Sequence, residues 1–265
     1  MPPFVFLPLA ISPEVYYRFL IMPAVAHITQ VWRLLDSGPS SGAENMRIDE
    51  RLLREASDGE IVPTLRFYTW DPPAVSLGRF QEERTAVNAE ACKRLGVGIV
   101  RRTTGGRAVL HHRELTYSIV SRTDNPLFPK SVLGAYKVIA TGLQACLLNL
   151  GIQADIVSRP SRHAVSSPRH PKDPACFSSP SWYEIVADNR KIVGSAQRRL
   201  PGAFLQHGSI LIDHDPVFEA ELIPGGSRGR AAGIAHVLGR SVSPEEVVKA
   251  FTNGFSDALG IRFLL

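Results

Sequence analysis

The sequence predicts one α/β domain of the α+β kind, with a mixed, largely antiparallel sheet flanked by helices. Three observations carry this expectation. Apolar residues alternate with polar ones over Glu114–Ser121, the mark of a strand with two faces. A helical spacing of Tyr136, Ile139, Leu143, Leu147 and Leu150 ends at Gly151. Strand-like runs and helical runs follow one another with turn signals between them, and no internal repeat or low-complexity tract intervenes.

The elements follow in order. After Val31-Trp32 the text becomes regular, and Ser41 is placed to cap a helix in which Met46, Ile48, Leu52, Leu53 and Ala56 share a face. Leu65–Trp70 is strand-like and ends at Asp71-Pro72-Pro73; Ala74–Gly78 is the next strand. Val87–Leu95 suits a helix closed by Gly96, and Gly98–Arg102 begins another strand. The clearest helix spans Ser131–Leu150. Residues 157–180, rich in Pro, Ser, Arg and His, form a long loop, and long loops inside compact domains are often functional. Tyr183–Ala187 and Arg190–Ser195 read as a hairpin around Asp188-Asn189, and Phe204–Asp213 as a further strand. Ser243-Pro244-Glu245-Glu246 is a capping box with proline at the first helical position, opening a last helix to Leu259.

With 265 residues, 44% hydrophobic and 21% charged, the chain has the composition of a globular protein. Its net charge of +5 favours acidic partners. No interleaved aromatic platform or nucleic-acid motif accompanies that charge. Residues 1–30 are apolar but broken by prolines and by Arg18, short of the roughly 18 uninterrupted apolar residues of a membrane span. They read as an extension, with Met22 an alternative start, before a domain over 31–265. Cys92, Cys146 and Cys176 show neither disulfide nor zinc spacing, which points to reduced thiols and a cytoplasmic protein.

Three stretches are candidates for chemistry. In Arg101–His111 a strand enters a double-glycine turn among arginines; such a turn lets backbone approach a ligand, and the guanidinium groups and amides suit oxygen atoms. A tight hairpin with solvated arginines fits the same composition. In Pro174–Glu184, Cys176 stands at the end of a polar loop entering a strand, where a nucleophilic thiolate would need a cation nearby. Cys92 and Cys146 lie among apolar helical residues and pack. Lys191 follows on the next strand, which a hairpin folds back towards Cys176; an exposed edge lysine is the plainer alternative. His207, His111 and His112 are candidate pocket residues. No cluster has metal-ligand spacing, and neither a G-x-S-x-G elbow nor a phosphate loop is present.

The succession RRTTGGRAVLHHRELTYS, ACFSSPSWYEIVADNRKIVGSAQRR and LQHGSILID resembles the biotin and lipoate protein ligase superfamily over about residues 31–260. Within it the chain is most similar to the LipM-type octanoyltransferases, because a cysteine precedes Phe-x-x-Pro-Ser-Trp-Tyr-Glu, where ATP-dependent lipoate ligases use none. The resemblance implies a ligase-like catalytic domain that moves octanoyl from octanoyl-acyl carrier protein to a lysine of a lipoyl-type domain, the glycine cleavage H protein. It implies Cys176 as nucleophile and Lys191 as acid/base, with Arg102, Thr104, Gly105, Gly106, Arg107, His111, Gly194, His207 and Gly208 as substrate-binding residues. A monomer needing no cofactor, metal, nucleic acid or membrane is expected. An ATP-dependent lipoate ligase and a lipoyl-domain amidotransferase are the alternatives of the same superfamily, and a module that only binds lipoyl domains is the non-enzymatic one.

Overall fold

The computed structural model describes residues 30–59, 61–157, 183–227 and 229–264. Two sheets organise them. The larger has eight strands in the order β11-β1-β2-β6-β10-β9-β8-β7, where β1 is Gln30–Ser40, β2 Thr64–Trp70, β6 Glu114–Arg122, β7 Asp155–Val157, β8 Glu184–Ala187, β9 Arg190–Leu200, β10 Ala203–Leu211 and β11 Ile261–Leu264. Only β11-β1 and β1-β2 pair in parallel; the other neighbours are antiparallel, as the predicted fold class requires. The smaller sheet sets β3 (Ala74–Leu77) between β4 (Gly98–Arg101), which runs parallel to it, and antiparallel β5 (Val109–His111).

Side-chain alternation gives each central strand two faces. On one, Leu65 and Phe67 of β2, Leu115, Tyr117 and Ile119 of β6, and Phe204 and Ile210 of β10 join the main core. Helices α4 (Val132–Asn149) and α7 (Pro244–Leu259) cover it with Ile139, Leu143, Leu147, Phe251 and Phe255. Serines cap both helices: Ser243, foreseen as a cap, accepts from the Glu246 amide, and Ser131, expected only to begin its helix, accepts from the Gly134 amide. By length and composition α4 is apolar enough to cross a membrane, yet one face of it, with Ile139, Leu143 and Leu147, is part of this core, while Val132, Leu133 and Leu148 are exposed.

Helix α1 (Gly42–Ser57), capped by Ser41, lies on the opposite face, where Leu52, Leu53 and Ala56 meet Val120, Ala203 and Leu205. The buried stripe differs from the expected one. Met46 and Ile48 are only half-buried, whereas Asn45 and Asp49 are buried. Polar residues therefore occupy a face that apolar periodicity alone assigns to core. The helix foreseen at Val87–Leu95 is shorter, α3 (Ala89–Arg94), because Asn88 accepts from the Ala91 amide and caps it; a single turn, α2 (Glu83–Ala86), precedes. The foreseen turn at Asp188-Asn189 is present, with φ of 49° and 58° at the two residues, the values of a hairpin whose central residues are left-handed. The short helices α5 (Pro216–Leu222) and α6 (Ile234–Leu238) complete the domain.

Candidate active site

The glycine-rich segment is not a hairpin turn. β4 and β5 do not pair with each other but flank β3, so residues 102–108 cross from one edge of the small sheet to the other. Arg102, expected among ligand-facing arginines, is buried and gathers this crossover inward. Its Nη1 donates to the Ser76 carbonyl at 2.9 Å, and its Nη2 donates to the carbonyls of Gly105 and Arg107 at 2.8 and 2.7 Å. Gly78 is required by this packing, since a Cβ there would stand 1.9 Å from the Gly106 carbonyl oxygen. Gly106 itself has φ of 93°, a conformation that disfavours any side chain. Around the loop, Arg79 is exposed and its amide donates to the Thr104 carbonyl, Arg101 holds the carbonyls of Gly78 and Gln81, and Arg198 hydrogen-bonds Thr103.

Where this loop meets the polar face of the large sheet, a narrow pocket of about 50 Å³ opens. Arg102, Gly106, His111, Gly194, His207 and Gly208, six of the residues expected to bind substrate, line it, and Met46, Tyr68, Trp70, Val109 and Ala196 supply apolar wall. Gly208 is a glycine because β9 and β10 approach closely there; a Cβ would meet the Gly194 carbonyl oxygen and the Tyr117 ring, both at 2.6 Å. Thr104 is wholly buried behind the wall, and Gly105 and Arg107 are half-buried in the loop. His112 is not in this pocket but lines a neighbouring one together with Trp70 and His111. It packs on Phe218 with ring centroids 5.0 Å apart.

The pocket floor is polar and fully engaged. His207 Nδ1 and Asp49 Oδ2 are 2.9 Å apart, and His207 Nε2 lies 2.8 Å from Thr104 Oγ1. Arg66 Nη1 donates to the other Asp49 oxygen at 2.8 Å, and the Tyr68 hydroxyl donates to Oδ2 at 2.9 Å. Burial alone would raise the Asp49 carboxyl, but the hydrogen bond from His207, the Arg66 charge and the hydrogen bond from Tyr68 hold it below the usual carboxylate range. His111 stacks on Trp70, centroids 3.8 Å apart and 13° from parallel. Its Nε2 is 2.8 Å from Ser76 Oγ and its Nδ1 3.3 Å from Glu114 Oε1. Burial pushes the His111 imidazole down, only partly offset by Glu114, so the ring is neutral at neutral pH. Sequence reasoning did not single out Asp49, Arg66, Ser76 or Glu114. Asp49 alone left a local signal, an acidic residue in step with Asn45 and Leu52 on the buried stripe.

Lys191 is not an exposed edge lysine. It is 3% exposed near the start of β9, and its ammonium pairs with Glu184 of β8 at 2.5 Å. Its backbone also bonds the Arg230 carbonyl and the Ala232 amide, which fixes the strand before it reaches Gly194 at the pocket. Cys176 and the rest of its segment, 158–182, lie outside the described residues. Cys92 and Cys146 are buried with free thiols, as expected of packing residues. Among the described residues no group of His, Cys, Asp and Glu is arranged to hold a metal ion.

Comparison with known proteins places these features in a class. Residues 41–256 match the lipoyl protein ligase A/B catalytic domain, and the chain belongs to that family. Two solved lipoate ligases share the fold at 28% identity: a lipoate-protein ligase A bound with ATP (TM-score 0.71) and a putative lipoate protein ligase of T. acidophilum with bound lipoic acid (TM-score 0.69), each matched over 89% of this chain and 88% of the other.

Within the family it groups with the octanoyltransferases called LipM. It is 46% identical to that of Kyrpidia tusciae over 88% of this chain and 89% of the relative, and 40% identical to that of Bacillus subtilis over 88% of each. The chain is thus an acyltransferase, an octanoyltransferase of lipoate biosynthesis.

Proposed function

We propose that this enzyme takes octanoyl from octanoyl-acyl carrier protein onto Cys176 and passes it to a lysine of a lipoyl-type domain, that of the glycine cleavage H protein. The Cys176 thiolate attacks the donor thioester carbonyl; the carbonyl–sulfur bond of the carrier breaks and the carrier thiol leaves with a proton. The acceptor lysine amine then attacks the octanoyl-enzyme, an amide forms, and the Cys176 thiolate departs. The donor is already activated, so neither step consumes ATP.

The observation that carries this proposal is the course of the chain after the cysteine segment. β8 and β9 follow it directly, carry the buried Glu184–Lys191 pair, and continue to the pocket wall at Gly194. A lysine held in that setting suits proton transfer to the leaving thiol and from the attacking amine. The apolar walls suit the acyl chain, each buried methylene contributing about 0.8 kcal/mol. The arginines around the glycine loop suit acidic carrier and lipoyl domains. We further infer a monomeric, cytoplasmic enzyme with reduced thiols whose catalytic domain spans 31–265 behind a separate amino-terminal extension.

Intact-protein mass spectrometry after mixing with octanoyl-acyl carrier protein, without ATP, tests the mechanism. A hydroxylamine-labile octanoyl adduct is expected on the wild type and absent from Cys176→Ala, and the lipoyl-domain lysine should discharge it. Transfer that needs ATP and survives Cys176→Ala would instead assign the chemistry of the solved ligases.

A further inference from the structure

We infer that Asp49 and Glu114 are positioning residues that set the tautomers of His207 and His111 and so hold the glycine loop in its working shape. Two hydrogen-bond chains leave one guanidinium. Arg102 Nε lies 3.2 Å from Thr104 Oγ1, and Arg102 Nη1 lies 3.0 Å from Ser76 Oγ. A guanidinium only donates, so both hydroxyl oxygens accept there. Each hydroxyl then gives its own proton onward, Thr104 to His207 Nε2 and Ser76 to His111 Nε2, both at 2.8 Å. In this arrangement each ring, neutral, carries its proton on Nδ1, which faces Asp49 Oδ2 in one chain and Glu114 Oε1 in the other.

For a neutral ring the direction is fixed by the carboxylates, which do not donate, and the cation, which cannot accept, leaves each hydroxyl proton free to go onward. Every other donor at those carboxylates agrees with it. Arg66 and Tyr68 donate to Asp49, and Thr116 and Ser209 donate to Glu114 at 2.7 and 2.5 Å. The effect reaches the pocket through Arg102, whose remaining hydrogen bonds hold the carbonyls of Gly105 and Arg107 beside Gly106. Neither carboxylate lines the pocket, so each acts through its histidine.

Asp49→Asn separates charge from shape. Arg66 donates to Oδ1, so the asparagine carbonyl must occupy that position and its amide nitrogen the place of Oδ2. That nitrogen donates to His207 Nδ1, the ring moves its proton to Nε2, and the ring N–H then confronts Thr104. Long-range proton–nitrogen correlation on the full-length enzyme with 15N-histidine reads this directly, with His207→Gln and His111→Gln assigning the signals. The wild type should show both rings as Nδ1–H, and Asp49→Asn should move His207 alone to Nε2–H. Single-turnover acylation by octanoyl-acyl carrier protein should slow about 10- to 100-fold in Asp49→Asn, by analogy with the hydrogen-bond partners of metal-binding histidines, with donor affinity little changed.

An Nε2–H form of His207 in the wild type would overturn the inference, as would a switched tautomer with an undiminished acylation rate. Should Asp49→Asn not fold, Thr104→Val and Thr104→Ser decide. Serine, which keeps the hydroxyl, should acylate faster than valine, and equal rates would refute the role. The inference rests on the octanoyl-transfer mechanism only for the rate. The tautomers stand or fall by the nitrogen spectrum, so a wild type with the expected spectrum and no acyl-enzyme would count against the cysteine mechanism instead.

Discussion

The two faces of strands β2, β6 and β10 are built from alternate residues of the same segments, yet they obey different rules. On the α4–α7 side Phe67, Leu115, Ile119 and Phe204 are held by area and fit. On the α1 side Arg66, Thr116, His207 and Ser209 are equally buried but are held by partners. Apolar packing tolerates changes that conserve volume, because contact energy is shared over many atoms. A buried polar network does not, because one missing partner strands a desolvated charge or hydroxyl. A core and an active site thus occupy two sides of one sheet, divided by nothing more than side-chain direction.

This contrast is sharpest at Asp49. Asp49→Ala removes the counterion of the fully buried Arg66 and should cost about 3–5 kcal/mol in urea-unfolding free energy. Ile119→Val, equally buried on the other face, should cost about 0.5–1.5 kcal/mol by the same measurement. If both losses were equal, the two faces would not differ in kind. Ser118 reverses the sign. It lies on the polar face, is wholly buried, and its Oγ has no hydrogen-bond partner among the described residues. Ser118→Ala removes an unpaired hydroxyl and should leave stability unchanged or raise it by up to about 1 kcal/mol. A loss of comparable size would show that the hydroxyl has a partner after all.

How much of this was legible in the sequence follows the same division. Helix caps at Ser41 and Ser243, the Asp188-Asn189 turn, and the alternation in β6 are local codes, and the folded chain obeys them. The glycine loop, Lys191 and the His207-Gly208 strand stood out because their composition is unusual for solvated strands. β1 and β11 were not foreseen as a pair, since their parallel register, Gln30 with Ile261, joins opposite ends of the chain. Asp49 sits in Arg47–Glu55, where five other charged residues face solvent or half-face it, and only its step with Asn45 and Leu52 sets it apart from the solvated carboxylates. Arg102 lines the pocket, and only the fold shows that its hydrogen bonds also turn inward to the loop.

The chain Asp49–His207–Thr104 has a consequence for how the enzyme comes into being. Its two hydrogen bonds join residues 158 and 103 positions apart. Closing such long loops is slow, and no helix or hairpin formed early contains any two of the three groups. During refolding, helix content should therefore return before acyl-transfer competence, and activity reports the completed topology rather than the presence of its parts.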